Sequence, residues 1–207
     1  MSYFITFEGP EGSGKTTQCQ RLKQYLAGHG HDVLCTREPG GTSIGQQVRA
    51  VLFDQSNGAM IPEAEFLLFS ASRAQLVREV IRPHLKKGGV VVCDRFFDSS
   101  LAYQGYGHRL DQGVLREITR LATGGLQPDL TLLLDLSPEE GLRRRKQQVE
   151  QWNRLDAYKL SFHIRVREGF LALAKAEPER WEVIDACQTS EAIFQRVIAR
   201  ALRALSQ

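Results

Sequence analysis

Cysteine is scarce and scattered. The 207 residues include four, Cys19, Cys35, Cys93 and Cys187, and none stands in a CxxC pair or at zinc-ligand spacing. They read as buried, reduced thiols and exclude a disulfide framework. No apolar run approaches the ~18 residues a membrane span needs. The N-terminus has no basic stretch leading into an apolar one, so no secretory signal is expected. The chain is therefore expected to be cytoplasmic, with no membrane partner. Prolines are few, at seven, and 42% of the residues are hydrophobic, which argues against disorder. This length and composition predict a single domain over residues 1–207. Also missing are a guanine-reading N-K-x-D and a D-x-x-G, the marks of a GTPase switch.

Positive charge is present but confined. The net charge is +3, and "RRRKQQVEQWNR" (143–154) holds five basic residues and one acid, so the rest of the chain is nearly neutral. A nucleic-acid binder spreads a basic face across the domain. One short basic segment instead suits a small, highly charged anion, and no nucleic-acid partner is expected.

Short apolar runs alternate with amphipathic stretches. The pattern predicts strands at Tyr3–Phe7, Val33–Thr36, Val90–Asp94, Leu130–Leu136 and Trp181–Ile184. Helices are predicted at Lys15–Gly28, Ile44–Leu52, Glu63–Lys87, Gly113–Thr123, Pro138–Gln148, Ala157–Ala176 and Thr189–Leu205. Such alternation belongs to an α/β fold with a parallel sheet. Pro62 and Pro138 suit helix starts, Ser137 a cap, and Gly88-Gly89 a stop.

"GPEGSGKT" (Gly9, Pro10, Glu11, Gly12, Ser13, Gly14, Lys15, Thr16) fits G-x-x-x-x-G-K-[ST] between a strand and a helix. A phosphate is held most simply by backbone N–H groups at a helix N-terminus, and glycine permits the φ values this requires. Lys15 is placed for the β- and γ-phosphates and the Thr16 hydroxyl for Mg²⁺, with Thr17 following. The loop predicts a nucleoside triphosphate site.

A second cluster, "DRFFDSSLAYQG" (94–105), begins where a strand ends. Ligands of open α/β sheets bind there. Asp94 suits a metal ion and Arg95 a phosphate. Gln104 offers the donor and acceptor that reading a base edge requires. The stretch reads equally as a helix cap with surface polar residues. "TREPGGTSIG" (36–45) reads as a tight loop at the same sheet edge. In "FLLFSASRAQ", Phe69 and Arg73 share a helix face. By residue type alone Phe69 reads as core and Arg73 as surface; together they also suit a base reader.

These segments, "FEGPEGSGKTTQ", "REPGGT", "FSASRAQ", "DRFFDSSLAYQG" and "PDLTLLLDLSPEEGL", resemble in order and spacing the bacterial type of thymidylate kinase, across nearly the whole chain. The resemblance implies a P-loop kinase fold: a five-stranded parallel sheet flanked by helices on both faces, with a short basic lid at about 143–156. It implies transfer of the γ-phosphoryl of ATP to dTMP, with Mg²⁺ held by Thr16 and Asp94, in a homodimer. It further implies that Glu11 bonds the sugar 3′-hydroxyl, Phe69 stacks on thymine and Arg73 bonds its O4 edge. Ser100 and Gln104 complete the base contacts, and Tyr103 packs on the deoxyribose. Arg95 and Arg37 orient the acceptor phosphate, and a cis peptide precedes Pro39. "DACQ" (185–188) falls at the adenine loop. With no cation inside the P-loop, the lid must supply one; Arg154 is the first choice, then Arg144 or Arg143. "NRLD" (153–156) departs from the family's Asp-Arg-hydrophobic-Glu. Alternatives are another P-loop nucleotide or small-metabolite kinase, a non-catalytic nucleotide-binding module, and a nucleic-acid-dependent ATPase.

Overall fold

The computed structural model describes residues 2–147 and 153–205. Five strands, β1 (Tyr3–Glu8), β2 (Val33–Arg37), β3 (Val90–Asp94), β4 (Leu130–Asp135) and β5 (Trp181–Asp185), pair in parallel in the order β2-β3-β1-β4-β5. β1 is central, with Ile5 in register with Val92 on one side and Leu130 on the other. The strands are apolar on both faces because both are covered. Ile5, Phe7 and Val92 pack under α1 (Lys15–Gly28) and α9 (Ser190–Leu205), with Leu22 and Val197. Phe4 and Val91 pack on the opposite side with Phe66, Leu115 and Phe170 of α3 (Pro62–Leu76), α6 (Gln112–Thr123) and α8 (Leu160–Ala176). The chain therefore leaves β1 with β3 on one hand and β4 on the other, which opens a crevice at the carboxyl ends of the strands.

Local chemistry sets the helix ends. Thr42 accepts from the Gly45 N–H at 2.9 Å to cap α2 (Ser43–Phe53). Ser137 accepts from the Glu140 N–H at 3.3 Å, with Pro138 in the first turn of α7 (Pro138–Lys146). The peptide before Pro39 is cis, as the resemblance implied.

Two expected helices differ. The predicted Glu63–Lys87 helix is α3, a π-helical stretch at Val77–Ile81, and α4 (Arg82–Lys86). Pro83 has no N–H to return to the preceding turn, and the helix widens just before it. The apolar run Phe66–Ile81 is largely used by the core, since Phe66, Leu76, Val77 and Ile81 are buried. The predicted Ala157 start is instead a 3-10 turn, Arg154–Ala157, closed by a capping box between Asn153 and Asp156. The expected end of α7 at Gln148, and the lid residues 148–152, lie outside the described residues.

One helical segment was not anticipated. Phe97–Ser100 (α5) runs into a π-helical stretch, Leu101–Gly107. Its polar residues are not surface: Ser99, Ser100, Tyr103 and Gln104 are all buried. Buried on several sides and carrying two glycines, it has no one-sided apolar stripe to betray a helix.

α7 approaches the glycine loop backbone to backbone. A Cβ on Gly141 would lie 2.4 Å from the Glu11 carbonyl oxygen, and one on Gly12 would lie 2.4 Å from that of Gly141. Gly141→Ala should therefore push the loop away, destabilising the fold by ~1–3 kcal/mol and weakening ATP binding. Urea unfolding and ATP titration on the same sample check both effects.

Candidate active site

A cleft of about 1020 Å³ runs along the carboxyl edge of the sheet. At one end lies the glycine loop. Gly9, Gly12 and Gly14 have φ of 139°, 70° and 88°, values that side chains rarely tolerate. Gly14 caps α1 without a side-chain hydrogen bond, which leaves the first-turn N–H groups to meet an anion. Lys15 folds back across the loop, its Nζ donating to the Pro10 carbonyl at 2.7 Å and the Ser13 hydroxyl at 3.2 Å. Pro10 and Ser13 thus hold the lysine and do not line the cleft; Glu11, Gly12, Gly14, Lys15, Thr16 and Thr17 do. Gly9 packs instead against Leu134 of β4.

Burial, aided by the charge of Arg95, lowers the Lys15 pKa to about 8, against the pull of Asp94, Glu11 and Glu8. Below that pH the ammonium is charged and attracts phosphate; above it the charge is lost. ATP affinity should thus fall about fivefold from pH 8 to pH 9, and Lys15→Arg should flatten the decline. Calorimetric titration at each pH checks this.

The Thr16 hydroxyl donates to the Asp94 carboxylate, joining the loop to the end of β3. Arg95 follows with φ 67°, in the left-handed region. Its turn is fixed by Glu8, which accepts from the Phe96 N–H at 2.8 Å and from the Ser99 hydroxyl. Burial, with the nearby charge of Asp98, pushes Glu8 up to about 8. The Arg95 guanidinium then donates to Ser99 Oγ at 2.9 Å, Tyr103 Oη at 3.1 Å and Glu11 Oε1 at 3.3 Å. Glu11 also accepts from the Tyr103 hydroxyl and faces His163 Nδ1 at 3.5 Å. Burial raises the Glu11 pKa, but His163, Arg95 and Lys15 outweigh it and hold the group well below the usual carboxylate range. An ionised acceptor therefore stands between the loop and the far end of the cleft.

That far end is built from α3 and the unanticipated helix. Phe69 is half-buried and lines the cleft, so it is not core. Arg73 is 1% exposed, so it is not surface. Its Nε donates to Glu38 at 2.8 Å and its Nη2 to Ser100 at 2.9 Å, leaving Nη1 without a partner. Gln104 lines the same end. Arg37 and Arg49 also line the cleft, Arg49 donating to the Pro39 carbonyl at 3.0 Å.

A family model described as thymidylate kinase matches residues 7–197. The chain belongs to the thymidylate kinase family. It is 50% identical over 211 residues to "Thymidylate kinase" of Roseiflexus castenholzii, covering 96% of this chain and 92% of the relative. It is 55% identical over 196 residues to that of Deinococcus radiodurans, covering 95% and 94%. The crystal structure of thymidylate kinase from Ehrlichia chaffeensis superposes with a TM-score of 0.79 at 34% identity, over 97% of this chain and 98% of that one. The expected P-loop kinase fold is present, with helices on both faces of a five-stranded parallel sheet.

Within this family member the basic residues divide. Arg144 lines the cleft, donating to the Gly12 carbonyl at 3.5 Å, the Ala186 carbonyl at 3.3 Å and Glu140 at 2.7 Å. "DACQ" thus lies beside Arg144. Arg143 is 60% exposed and paired with Glu140, outside the cleft lining. Arg154, expected first at the γ-phosphate, is turned elsewhere. It is buried and donates to Glu65, the Tyr158 hydroxyl and the Leu52 carbonyl. The reason is electrostatic: Glu65 is wholly buried, and a buried carboxylate needs a cation. Sequence reading missed Glu65, Glu38, Arg49 and His163. Only Glu65 left a clear signal, since 65, 69 and 73 are spaced i, i+4, i+8 on one helix face.

Proposed function

We propose that this chain transfers the γ-phosphoryl group of ATP to dTMP, giving ADP and dTDP. The observation that carries the reading is one cleft that holds both an anion-binding glycine loop and the Phe69 ring with unpartnered polar atoms of Arg73 and Gln104. Lys15 and the loop N–H groups hold the ATP phosphates. Arg95 and Arg37, with Arg49, align the acceptor phosphate, and Glu11 bonds the sugar 3′-hydroxyl. Tyr103 packs where a ribonucleotide would carry its 2′-hydroxyl. Phe69 stacks on thymine while Arg73, Ser100 and Gln104 bond its edge. Phosphoryl transfer asks for alignment and positive charge more than for covalent help. Arg144, beside Gly12, is the lid cation we assign to the transferred group, with Arg154 anchoring the lid.

Thr16 and Asp94 fit Mg²⁺, which takes one or two protein oxygens alongside phosphates and water. Among the described residues no set of three His, Cys, Asp or Glu side chains would cage a metal unaided. When bound, the ion neutralises charge on the β- and γ-phosphates. A homodimer is supported by the family resemblance and by exposed Leu67, Val114 and Leu121 on α3 and α6. Among the described residues no helix is long and apolar enough to cross a membrane, and we place the enzyme in the cytoplasm.

The test is ADP release with ATP and Mg²⁺ against dTMP, dUMP, UMP, CMP, AMP and GMP separately. Rapid turnover with dTMP and little with ribonucleotides is the expected result. Preference for another acceptor would keep the kinase and remove the thymine pocket.

A further inference from the structure

Glu65 has no place in the roles above, yet it is a wholly buried carboxylate one helical turn from Phe69. Its Oε1 accepts from Gln104 Nε2 at 2.7 Å and faces His108 Nε2 at 3.3 Å. Its Oε2 accepts from the Tyr158 hydroxyl at 3.0 Å and from Arg154. Burial raises its pKa, but the neighbouring His108, Arg154 and Gln104 side chains, with the charge of Arg154, bring it below the ordinary value. The group is therefore ionised at neutral pH and can only accept.

An amide beside an acceptor-only group has one favourable orientation. Its NH₂ must turn toward the carboxylate and its oxygen away. Gln104 obeys this: its Oε1 is buried and has no partner. Arg73 Nη1, lining the same cleft, is the complementary case, a buried donor with no partner. Unpaired buried polar atoms are costly, so such a pair marks a place where a ligand completes the bonds. A 4-keto pyrimidine offers the matching edge, an acceptor at O4 beside a donor at N3. A 4-amino pyrimidine offers the reverse.

We propose that Glu65 is a specificity-determining positioning residue: it fixes the Gln104 amide so that the pocket admits 4-keto pyrimidine nucleotides and rejects 4-amino ones. The inference rests on the thymine reading of this pocket and adds the group that enforces it. Glu65 touches no substrate; it acts through Gln104.

The test is the ratio of kcat/KM for dTMP to that for dCMP. Disturbance of Arg154 affects both acceptors alike and cancels in the ratio. Glu65→Gln keeps the size but offers both a donor and an acceptor, so the Gln104 amide is free to turn. The ratio should fall at least about tenfold, since discrimination by paired polar groups is what makes such pockets selective. In a Gln104→Leu background the same substitution should leave the ratio where Gln104→Leu alone puts it. An unchanged ratio in Glu65→Gln, or an equal fall in both backgrounds, overturns the proposal while leaving the thymine pocket intact. No turnover of dTMP by the parent enzyme overturns both. The parent protein gives a further check that needs no variant to fold. Its Gln104 side-chain amide protons should be protected from exchange before dTMP is added. Protection that appears only on adding dTMP would put the NH₂ on the base and overturn the assignment.

Discussion

Arg95→Ala should lower kcat/KM for dTMP by about 10²–10³-fold, the usual consequence of deleting one preorganised charge from a transfer site. Arg95 is pre-set by three neighbours, Ser99, Tyr103 and Glu11, and by a left-handed turn that Glu8 secures. Burial works against its charge, but Tyr103, Glu11, Glu8 and Asp94 more than restore it, so its pKa stands above the ordinary arginine value. Lysine should not rescue the loss, because one ammonium cannot reproduce a planar fork that spans several acceptors. The fold should survive, since Glu11 keeps Tyr103 and His163. Backbone strain separates two versions of the experiment. Alanine at φ 67° keeps the left-handed cost, while glycine relieves ~1 kcal/mol of it. Arg95→Gly should therefore unfold at higher urea than Arg95→Ala while being equally inactive. Equal activity of Arg95→Ala and the parent would remove Arg95 from the acceptor phosphate.

Arg144→Ala should lower kcat about 10³-fold, at the low end of the range seen when an arginine is removed from a transferred phosphoryl group. The KM for dTMP should change little, because Arg144 touches the glycine loop and not the base pocket. Arg154→Ala should show the other signature. Its guanidinium partners Glu65, so its loss leaves a buried carboxylate uncompensated and disturbs the base end, raising the KM for dTMP. Steady-state kinetics of the two variants side by side decide the assignment. A kcat defect in Arg154→Ala with an ordinary KM would mean that Arg154 leaves Glu65 and reaches ATP during turnover.

The sheet was legible because its strands are continuous apolar runs ending in polar residues at one edge; all five fall within two residues of their expected limits. The glycine loop was legible because phosphate binding constrains both residue type and spacing. Side-chain direction was not. Phe69 and Arg73 could be placed on one face, but not identified as cleft-lining ring and buried guanidinium without Glu38 and Ser100 in view. The Phe97–Gly107 helix was missed because it serves packing and polar contacts at once, which erases the stripe that periodicity detects. The contact that Arg154 makes was hidden for a related reason. Charge in a segment can be counted, but its partner, Glu65, stands 89 residues away in the chain.

The mutual approach of Gly12 and Gly141 also bears on how this enzyme can diverge. With φ at 70° and a carbonyl oxygen 2.4 Å from any Cβ, position 12 is closed to every residue with a side chain. An arginine or lysine placed there alone would collide with the α7 backbone. A lineage carrying this glycine pair must first loosen α7 from the loop, crossing a destabilised intermediate, before position 12 can accept a charged residue.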